Sequence, residues 1–352
     1  MLRLGHEVKI LAWDRMKKNH GSAEGKLNLK NGEVPIRWFN ITAEYGSGLR
    51  NLGPLIMFQF CLIWWLIKNR KTYDIIHACD FDTVIPAWFL AKFFRKMYVY
   101  DIFDYYVDAF HVPKKLKKLV EGIDLVMINH ANAVIIANES RRRQIAKSNP
   151  RQLYVIHNSP DIQINWSDDT KSTKPKNPKF VYVGVLGGGR MLKEIIDVFI
   201  KQRSWELHIG GFGPLENYIK EASNVYENIV FYGKLPYHEV LELERRCDIL
   251  FAIYDPKIKN HKFSSPNKLY EAMALGKPII VAKGTGIDEV VLKENIGKAI
   301  DFTPEAFIEA SNEILNEDFS ELAILSKKIY LENYSWSIME LRLKKIYEKS
   351  IL

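Results

Sequence analysis

A lysine and a glutamate, Lys268 and Glu271, lie three positions apart at the start of a short helical pattern. Ser265 is placed to cap this helix, Pro266 takes its first position, and Gly276 is placed to end it. A helix N-terminus with an ammonium group, and a carboxylate one turn deeper, suits a phosphorylated ligand that also carries hydroxyl groups. The spacing is equally compatible with an ordinary ion pair on a solvated helix face, although a lysine in the first turn opposes the helix dipole.

The elements around this helix alternate between strands and helices. Apolar runs predict strands in the second half at residues 180–185, 206–209, 229–232, 249–253 and 279–282. Helical patterns lie between them, and a similar alternation runs through the first half. This order predicts an α/β protein with parallel sheets that are covered by helices on both faces.

A chain of 352 residues is too long for one ordinary core, so two domains are expected. A stretch rich in Ser, Asp, Thr, Lys and Pro separates the two α/β halves. We predict a first domain over 1–163, a linker over 164–178, a second domain over 179–330, and a terminal helix over 331–352 that packs back across the domains. Ligands of such proteins usually bind in a cleft between the domains.

The opening of the chain is harder to interpret. A strand is predicted over 7–13, and the polar residues 15–32 are predicted to be a loop. A further strand at 36–39 would lie at a sheet edge because Pro35 precedes it.

Charge and cysteine content restrict the partners and the compartment. The net charge of +8 favours anionic partners such as nucleotides or lipid phosphates. The three cysteines lie far apart and form neither a metal-binding spacing nor a disulfide framework, which favours a reducing compartment. The first residues lack the apolar core of a signal peptide, so a cytoplasmic location is expected. The lysines lack interleaved aromatic residues, so nucleic acid is not an expected partner.

Two segments of the first half predict contact with a membrane surface. Residues 55–67 are the most apolar stretch, but they are too few for a span of roughly 20 residues. Residues 114–118 contain four lysines at a helix start. Together these segments would hold the first domain at the anionic inner face of a membrane as a peripheral protein. The alternative is a core helix and a solvated lysine face.

Four stretches of the second half follow one another in a known order. They are Tyr182-Val183-Gly184, residues 208–214, residues 232–236 and residues 265–271. Their succession resembles the nucleotide-binding half of GT-B glycosyltransferases of family 4. Residues 74–78 and 155–158 resemble parts of that family's acceptor domain, and residues 334–336 resemble the start of its last helix. The resemblance implies two Rossmann-like domains that face a central cleft.

The resemblance implies an enzyme that moves a sugar from a nucleoside diphosphate donor to an acceptor hydroxyl, with retention at the anomeric carbon and without a metal or other cofactor. The donor would be a UDP- or GDP-sugar, and the acceptor would be a glycan or a lipid-linked sugar, as in glycan, polysaccharide or glycolipid synthesis. Glu271 would accept hydrogen bonds from the ribose hydroxyls of the donor. Lys268 would stabilise the charge that builds on the departing diphosphate.

The resemblance also implies donor-binding residues around that pair. The glycine run would let backbone N–H groups approach the phosphates, with Arg190 adding charge. Backbone groups of the turn at Gly233 would contact the base. The predicted donor site comprises Gly187, Gly188, Gly189, Arg190, Gly211, Gly233, Lys234, Leu235, Ser265, Asn267, Lys268 and Glu271. The glycine run is also compatible with a flexible turn alone, and it does not match the dinucleotide-binding fingerprint.

The sequence departs from the family pattern in its site residues. Phe263 stands where many relatives have a second glutamate, so one sugar contact is missing or comes from Ser264 or Ser265. Phe103 stands where the family often has a histidine. The next residue, Asp104, is a third catalytic candidate, with a structural aspartate at a strand end as the alternative.

A larger departure lies at the start of the chain. The strand, glycine loop and helix that open the family's first domain are absent before Arg3. Because the missing strand lies inside the sheet, its absence would leave unpaired strand edges in the first domain. We therefore expect the working protein to begin upstream of Met1. Two other functions stay open: a nucleotide-sugar epimerase of similar fold, and a truncated, non-catalytic homologue that acts as a partner protein.

Overall fold

The computed structural model describes residues 1–16, 21–44, 48–110, 112–164 and 175–351. They divide into two compact units, of which unit 1 comprises Met1–Ile156 and Glu340–Leu352, and unit 2 comprises His157–Met339. The predicted domain limits at 163, 179 and 331 stay predictions. Most of the predicted linker, residues 165–174, lies outside the described residues.

Unit 1 contains two sheets. Its strands and helices are β1 (Ile10–Asp14), β2 (Gly21–Leu29), β3 (Gly32–Asn40), α1 (Leu52–Lys68), β4 (Ile75–Cys79), α2 (Phe81–Phe94), β5 (Met97–Ile102), α3 (Tyr106–Ala109), α4 (Lys114–His130), β6 (Ala133–Ile136), α5 (Arg141–Gln144) and β7 (Leu153–Val155). The first sheet has the order β1-β3-β2, and the second has the order β4-β5-β6-β7 and is wholly parallel. Phe58, Leu62 and Trp65 of α1 pack with Phe39 of β3 and with Ile76 of β4, so one helix covers strands of both sheets.

Two predictions for the start of the chain are wrong. The segment predicted as a loop contains β2, which pairs antiparallel with β3 along its whole length. Its residues alternate between exposed and half-buried, so a short-range apolar signal is weak and the strand depends on its partner. Pro35 lies on the central strand β3 and not at an edge. The proline is tolerated because the pairing of β3 with β1 begins one residue later, at Ile36.

Strands β1 and β4 each lie at the edge of a sheet in unit 1. Among the described residues, β1 pairs only with β3, and β4 pairs only with β5. β4 has one buried residue, Ala78, whereas every residue of β6 is buried. A parallel strand inside an α/β sheet is normally buried on both faces, so β4 lies in an environment typical of an edge.

Unit 2 is built on one parallel sheet. Its elements are β8 (Lys179–Val185), α6 (Leu192–Lys201), β9 (Glu206–Phe212), α7 (Glu216–Val225), β10 (Ile229–Phe231), α8 (Tyr237–Arg246), β11 (Ile249–Ala252), α9 (Asn267–Leu275), β12 (Ile279–Ala282), α10 (Ile287–Glu294), β13 (Gly297–Ile300), α11 (Pro304–Ile314) and α12 (Phe319–Ile329). A π-helical turn, Tyr330–Tyr334, leads to the last helix, α13 (Trp336–Ile351), whose residues from Glu340 onward belong to unit 1.

The sheet order of unit 2 is β10-β9-β8-β11-β12-β13. The predicted strands of this half are confirmed, and β13 is an addition to them. The chain passes from β8 to β9 on one side and later returns to β11 on the other side, so β8 and β11 flank the topological switch point. In open α/β sheets, ligands bind beyond the carboxyl ends of the strands at that point.

None of the described helices, including the apolar α1, combines the length and the hydrophobicity needed to cross a bilayer.

Candidate functional site

Helix α9 carries Lys268 and Glu271 beside the switch point. It begins one residue later than the sequence predicts, since Pro266 is its N-cap and no side chain accepts a capping hydrogen bond there. The prediction of Ser265 as the cap is therefore wrong. Gly276 ends the helix in the left-handed conformation, with φ 65°, as predicted.

Both side chains of the pair are buried in unit 2. Lys268 is 8% exposed and Glu271 is 3% exposed. The reason is that α9 lies inside the unit, where neighbours such as Leu269, Tyr270 and Met273 are part of the core. The alternative of an ion pair on a solvated helix face is therefore wrong. Burying two charged groups is costly unless something stabilises them, so their position needs a reason other than solubility.

The ammonium group of Lys268 reaches the end of β8. Its Nζ lies 4.7 Å from the ring centroid of Tyr182. The same atom would lie 3.0 Å from a Cβ at position 184, so a glycine there leaves the room that the ammonium occupies. Burial by itself lowers the pKa of Lys268, but Tyr254, Tyr182 and Glu271 raise the pKa above its ordinary value. The group is thus a fixed cation at the carboxyl edge of the sheet.

Two residues of α8 act on this pair, the buried Glu244 and the half-exposed Tyr237, and sequence reasoning missed both. Glu244 is 1% exposed, and burial together with the Glu271 carboxylate holds the pKa of Glu244 well above its ordinary value. The Tyr237 hydroxyl lowers the pKa of the Glu271 carboxyl group. Burial also raises the pKa of Glu271, against the opposing effect of Lys268. A glutamate within an otherwise apolar helix face was the available signal for Glu244.

The glycine run lies between β8 and α6, at the same edge. Gly189 has φ +71°, and a Cβ there would lie 2.6 Å from Ile258 Cδ1. The guanidinium of Arg190 lies 5.6 Å from the ring centroid of Tyr254, and its Nη1 donates to the carbonyl oxygen of Gly188 over 3.3 Å. A Cβ on Gly188 would meet open space. The run therefore borders open space at Gly188.

The turns after β9 and β10 lie beside the glycine run, because β8, β9 and β10 are adjacent. The backbone N–H of Gly211 donates to the carbonyl oxygen of Gly233 over 2.7 Å. Lys234 Nζ lies 5.3 Å from the ring centroid of Phe212, and Leu235 packs on the unit core. The structure thus brings the predicted donor-site residues of three turns to one edge of the sheet.

The loop before α9 is held by hydrogen bonds within unit 2. Asn158 Nδ2 donates to the carbonyl oxygen of Ser265 over 2.8 Å, and the Ser264 hydroxyl donates to the carbonyl oxygen of His261 over 2.8 Å. Asn267, the first residue of the helix, is exposed. Ser265 is buried and Asn267 is exposed, so of these two predicted donor-site residues only Asn267 is open to solvent.

Comparisons with known proteins agree with this geometry. Residues 165–331 match the family described as glycosyl transferases group 1. The matched residues lie within unit 2. A curated relative, an uncharacterized glycosyltransferase of Methanocaldococcus jannaschii, is 25% identical over 65% of this chain. That match spans about three fifths of the relative, 61% of its length.

Solved structures extend the likeness to the whole chain. Sucrose-phosphate synthase of Thermosynechococcus elongatus matches with a TM-score of 0.74 and 16% identity, over 99% of this chain and 90% of its own. HepE of Anabaena, solved with UDP and glucose, matches with a TM-score of 0.67 and 17% identity, over 90% of this chain and 86% of its own. The chain therefore has the GT-B fold, as predicted.

Two glycines of unit 2 should respond differently to replacement by alanine. A Cβ on Gly211 would lie 1.8 Å from the Gly184 carbonyl oxygen, at a φ of +132°. We expect Gly211→Ala to lower the free energy of unfolding by about 3 kcal/mol or more, because the clash is with backbone. Gly188→Ala, where the space is open, is expected to unfold like the parent. Urea unfolding of both variants measures this, and equal stability would show that β8 and β9 do not approach so closely.

Within unit 1, Asp104 lies in a cluster with Arg141 and Asp80. Its Oδ1 lies 3.2 Å from Nη2 of Arg141, which is 3% exposed. The backbone N–H groups of Asp104 and Phe103 donate to Oδ1 of Asp80, over 3.2 Å and 2.8 Å. Asp104 therefore has the structural partners of a strand-end aspartate, while 45% of its side chain is exposed and available to a ligand.

Asp80 is a third residue that the sequence did not indicate. It follows β4 with φ 58°, which is rare for a residue other than glycine and typical of functional sites. Burial raises the pKa of Asp80 to about 6, although two backbone N–H groups oppose this. Because its pKa is raised, Asp80 contributes stability at low pH that is lost as the pH rises from 3.8 to about 6.

Proposed function

We propose that the protein transfers a sugar from a nucleoside diphosphate sugar to an acceptor hydroxyl, with retention at the anomeric carbon and without a metal ion. The observation that carries this proposal is the buried Lys268 and Glu271 pair at the switch point of the unit 2 sheet. A cation and a carboxylate that are both protected from water match a ligand with one anionic part and one hydroxyl-rich part.

In this proposal each residue of the pair contacts a different part of the donor. The Glu271 carboxylate accepts hydrogen bonds from the ribose hydroxyls. The Lys268 ammonium, which stays protonated because its pKa is raised, lies at the diphosphate. As the bond between the sugar and the diphosphate breaks, negative charge grows on the leaving group. A fixed cation stabilises that charge more in the transition state than in the ground state.

The three glycine turns contribute backbone groups to the proposed site. N–H groups of Gly187, Gly188 and Gly189 would bind the phosphates, with Arg190 beside them. Lys234 and Leu235 would lie at the base, for which we propose uracil or guanine. HepE of Anabaena, which shares the fold, has been solved with UDP and with UDP-glucose. Arabidopsis starch synthase IV, also of this fold, has been solved with ADP.

A thermal-shift panel of nucleotide sugars tests the function. A ligand present at 100 times its Kd stabilises the folded state by about 2.7 kcal/mol, so the right donor should raise the Tm by several degrees. Nucleotide release that occurs only when an acceptor is present would then support sugar transfer. Conversion of the donor's sugar without any acceptor would instead identify an epimerase. Binding without turnover under any acceptor would favour a non-catalytic partner protein.

We further propose that unit 1 contacts an anionic membrane surface, where a lipid-linked acceptor would lie. The exposed face of α1 carries Phe60, 66% exposed, and Trp64, 60% exposed. The helix contains no acidic residue, and Lys68 Nζ lies 5.0 Å from the ring centroid of Trp64. A cavity of about 570 Å³ beside this face is lined largely by apolar side chains and is large enough for part of a lipid chain. Lysines at 114–118 add positive charge on α4.

Removing the two exposed aromatic residues should weaken membrane binding. We expect the Phe60→Ser, Trp64→Ser double variant to partition into anionic vesicles at least about tenfold less than the parent, because each ring can bury apolar area worth about 2 kcal/mol. Leu292→Ser, which changes a residue 60% exposed in unit 2, is the matched control. Co-sedimentation with phosphatidylglycerol vesicles at low salt measures this. A parent that stays in the supernatant would remove the proposal.

A further inference from the structure

Glu244 and Glu271 are both buried in unit 2, and each carboxyl group acts on the pKa of the other. They belong to the neighbouring helices α8 and α9, and they are 1% and 3% exposed. The other titratable groups that act on this cluster are Tyr237 and Cys247 from α8 and its end, Lys268 from α9, and Tyr182, Tyr254 and Tyr330 from β8, the loop after β11 and the π-helical turn.

The cluster has fewer positive than negative groups. Among the described residues, Lys268 is the only cation that acts on either carboxyl group. One ammonium can balance one buried carboxylate, so a second carboxylate would be an uncompensated buried charge. Two carboxyl groups that share one site resolve this by holding a proton between them.

The surroundings of the two carboxyl groups differ. Glu244 Oε2 is buried and has no hydrogen-bond partner among the described residues, which is tolerable for a neutral acid and costly for an anion. Glu271 has the better environment for a charge, since Lys268 and Tyr237 both lower its pKa and Lys268 lies on the same helix. Burial raises the pKa of both groups, and it raises the pKa of Glu244 further.

We propose that Glu244 is a positioning residue that keeps its proton and donates it as a hydrogen bond to the Glu271 carboxylate. Tyr237 donates a second hydrogen bond, and the two donors fix the carboxylate while leaving acceptor sites free. The consequence for a nucleotide rests on the proposed function: the fixed carboxylate is ready to accept the ribose hydroxyls. When both glutamates ionise at high pH, their repulsion moves Glu271 and weakens nucleotide binding.

Glu244→Gln keeps a hydrogen-bond donor at this position and removes the titratable proton, because an amide group donates but does not titrate. A glutamate with a raised pKa stabilises the folded state at low pH, and that stability is lost as the pH rises above 4.5 toward the folded-state pKa. We therefore expect Glu244→Gln to have a parent-like Tm at pH 4.5 and a Tm higher than the parent by about 3 °C or more at pH 8. Glu239→Gln, exposed on the same helix, should follow the parent at both values.

Nucleotide binding supplies the second measurement, with UDP and GDP as the probes. The parent should lose at least about fivefold in affinity between pH 6.5 and pH 9.5, whereas Glu244→Gln should keep its affinity across that range. Glu244→Ala, which has no donor, should bind about tenfold more weakly at both values, as expected for the loss of one hydrogen bond to a charged group.

The two measurements test different parts of the proposal, so their negative results can be told apart. If Glu244→Gln keeps the parent's pH profile of Tm, the proton is not shared and the proposal is overturned, whether or not nucleotides bind. If the Tm profile changes as expected but the parent binds neither UDP nor GDP, the proton assignment stands and the proposed function fails. If both nucleotides bind the Glu244→Ala variant as tightly as the parent, Glu244 does not position Glu271.

Discussion

Replacement of Glu271 by alanine is expected to lower kcat/KM for the nucleotide sugar by about 100-fold or more. In the proposed site this carboxylate accepts two hydrogen bonds from the ribose, and a hydrogen bond to a charged group contributes about 1.5–3 kcal/mol. Each loss of about 1.4 kcal/mol costs a factor of about ten. The helix should persist, since its neighbours Leu269, Tyr270 and Met273 hold it in the core.

The assay is sugar transfer at subsaturating donor, with the Tm of each variant as the test of folding. Glu271→Gln keeps the volume of the side chain and should show a smaller loss, of about tenfold, because an amide oxygen is a weaker acceptor. Glu309→Ala on the exposed face of α11 is the matched control. If Glu271→Ala transferred sugar at the parent rate, the assignment of the donor site to α9 would be wrong.

Lys268→Met is expected to act mainly on the chemical step, lowering kcat by about 100-fold or more with a smaller change in KM. Removing one preorganised group that stabilises transition-state charge typically costs about 3–4 kcal/mol. The ammonium is preorganised here, because Tyr182 lies on one side and the space above Gly184 admits it. Methionine retains the length and apolar stem of the side chain.

The comparison of kcat with KM separates two roles for the lysine. A large increase in KM with an unchanged kcat would mean that Lys268 binds substrate and transition state equally and does not assist departure of the diphosphate. Lys262→Met, a change at an exposed lysine in the turn before α9, should leave both constants unchanged. Since the pKa of Lys268 is raised, the parent should show no loss of activity from its deprotonation near neutral pH.

Local patterns predicted unit 2 better than unit 1. The strands of unit 2 are continuous apolar runs, which a parallel sheet covered on both faces requires, and β11 and β12 are indeed buried throughout. β2 of unit 1 is a half-exposed antiparallel strand with glycine and charged residues, so no local pattern marks it. The position of Pro35 on a central strand depends on where β1 starts to pair, which is a long-range property.

In the candidate site, too, some features follow from local sequence and others depend on tertiary packing. The sequence by itself determined the helix with its terminating Gly276, the spacing of Lys268 and Glu271, and the glycine turns that precede them. Only the tertiary structure decided that this pair is buried, because burial depends on how α8, α9 and the sheet pack. It also decided that Glu244 joins the pair. Two carboxyl groups on separate helices have no sequence spacing that brings them together, and their shared burial with Lys268 is what makes this lysine a candidate for chemistry.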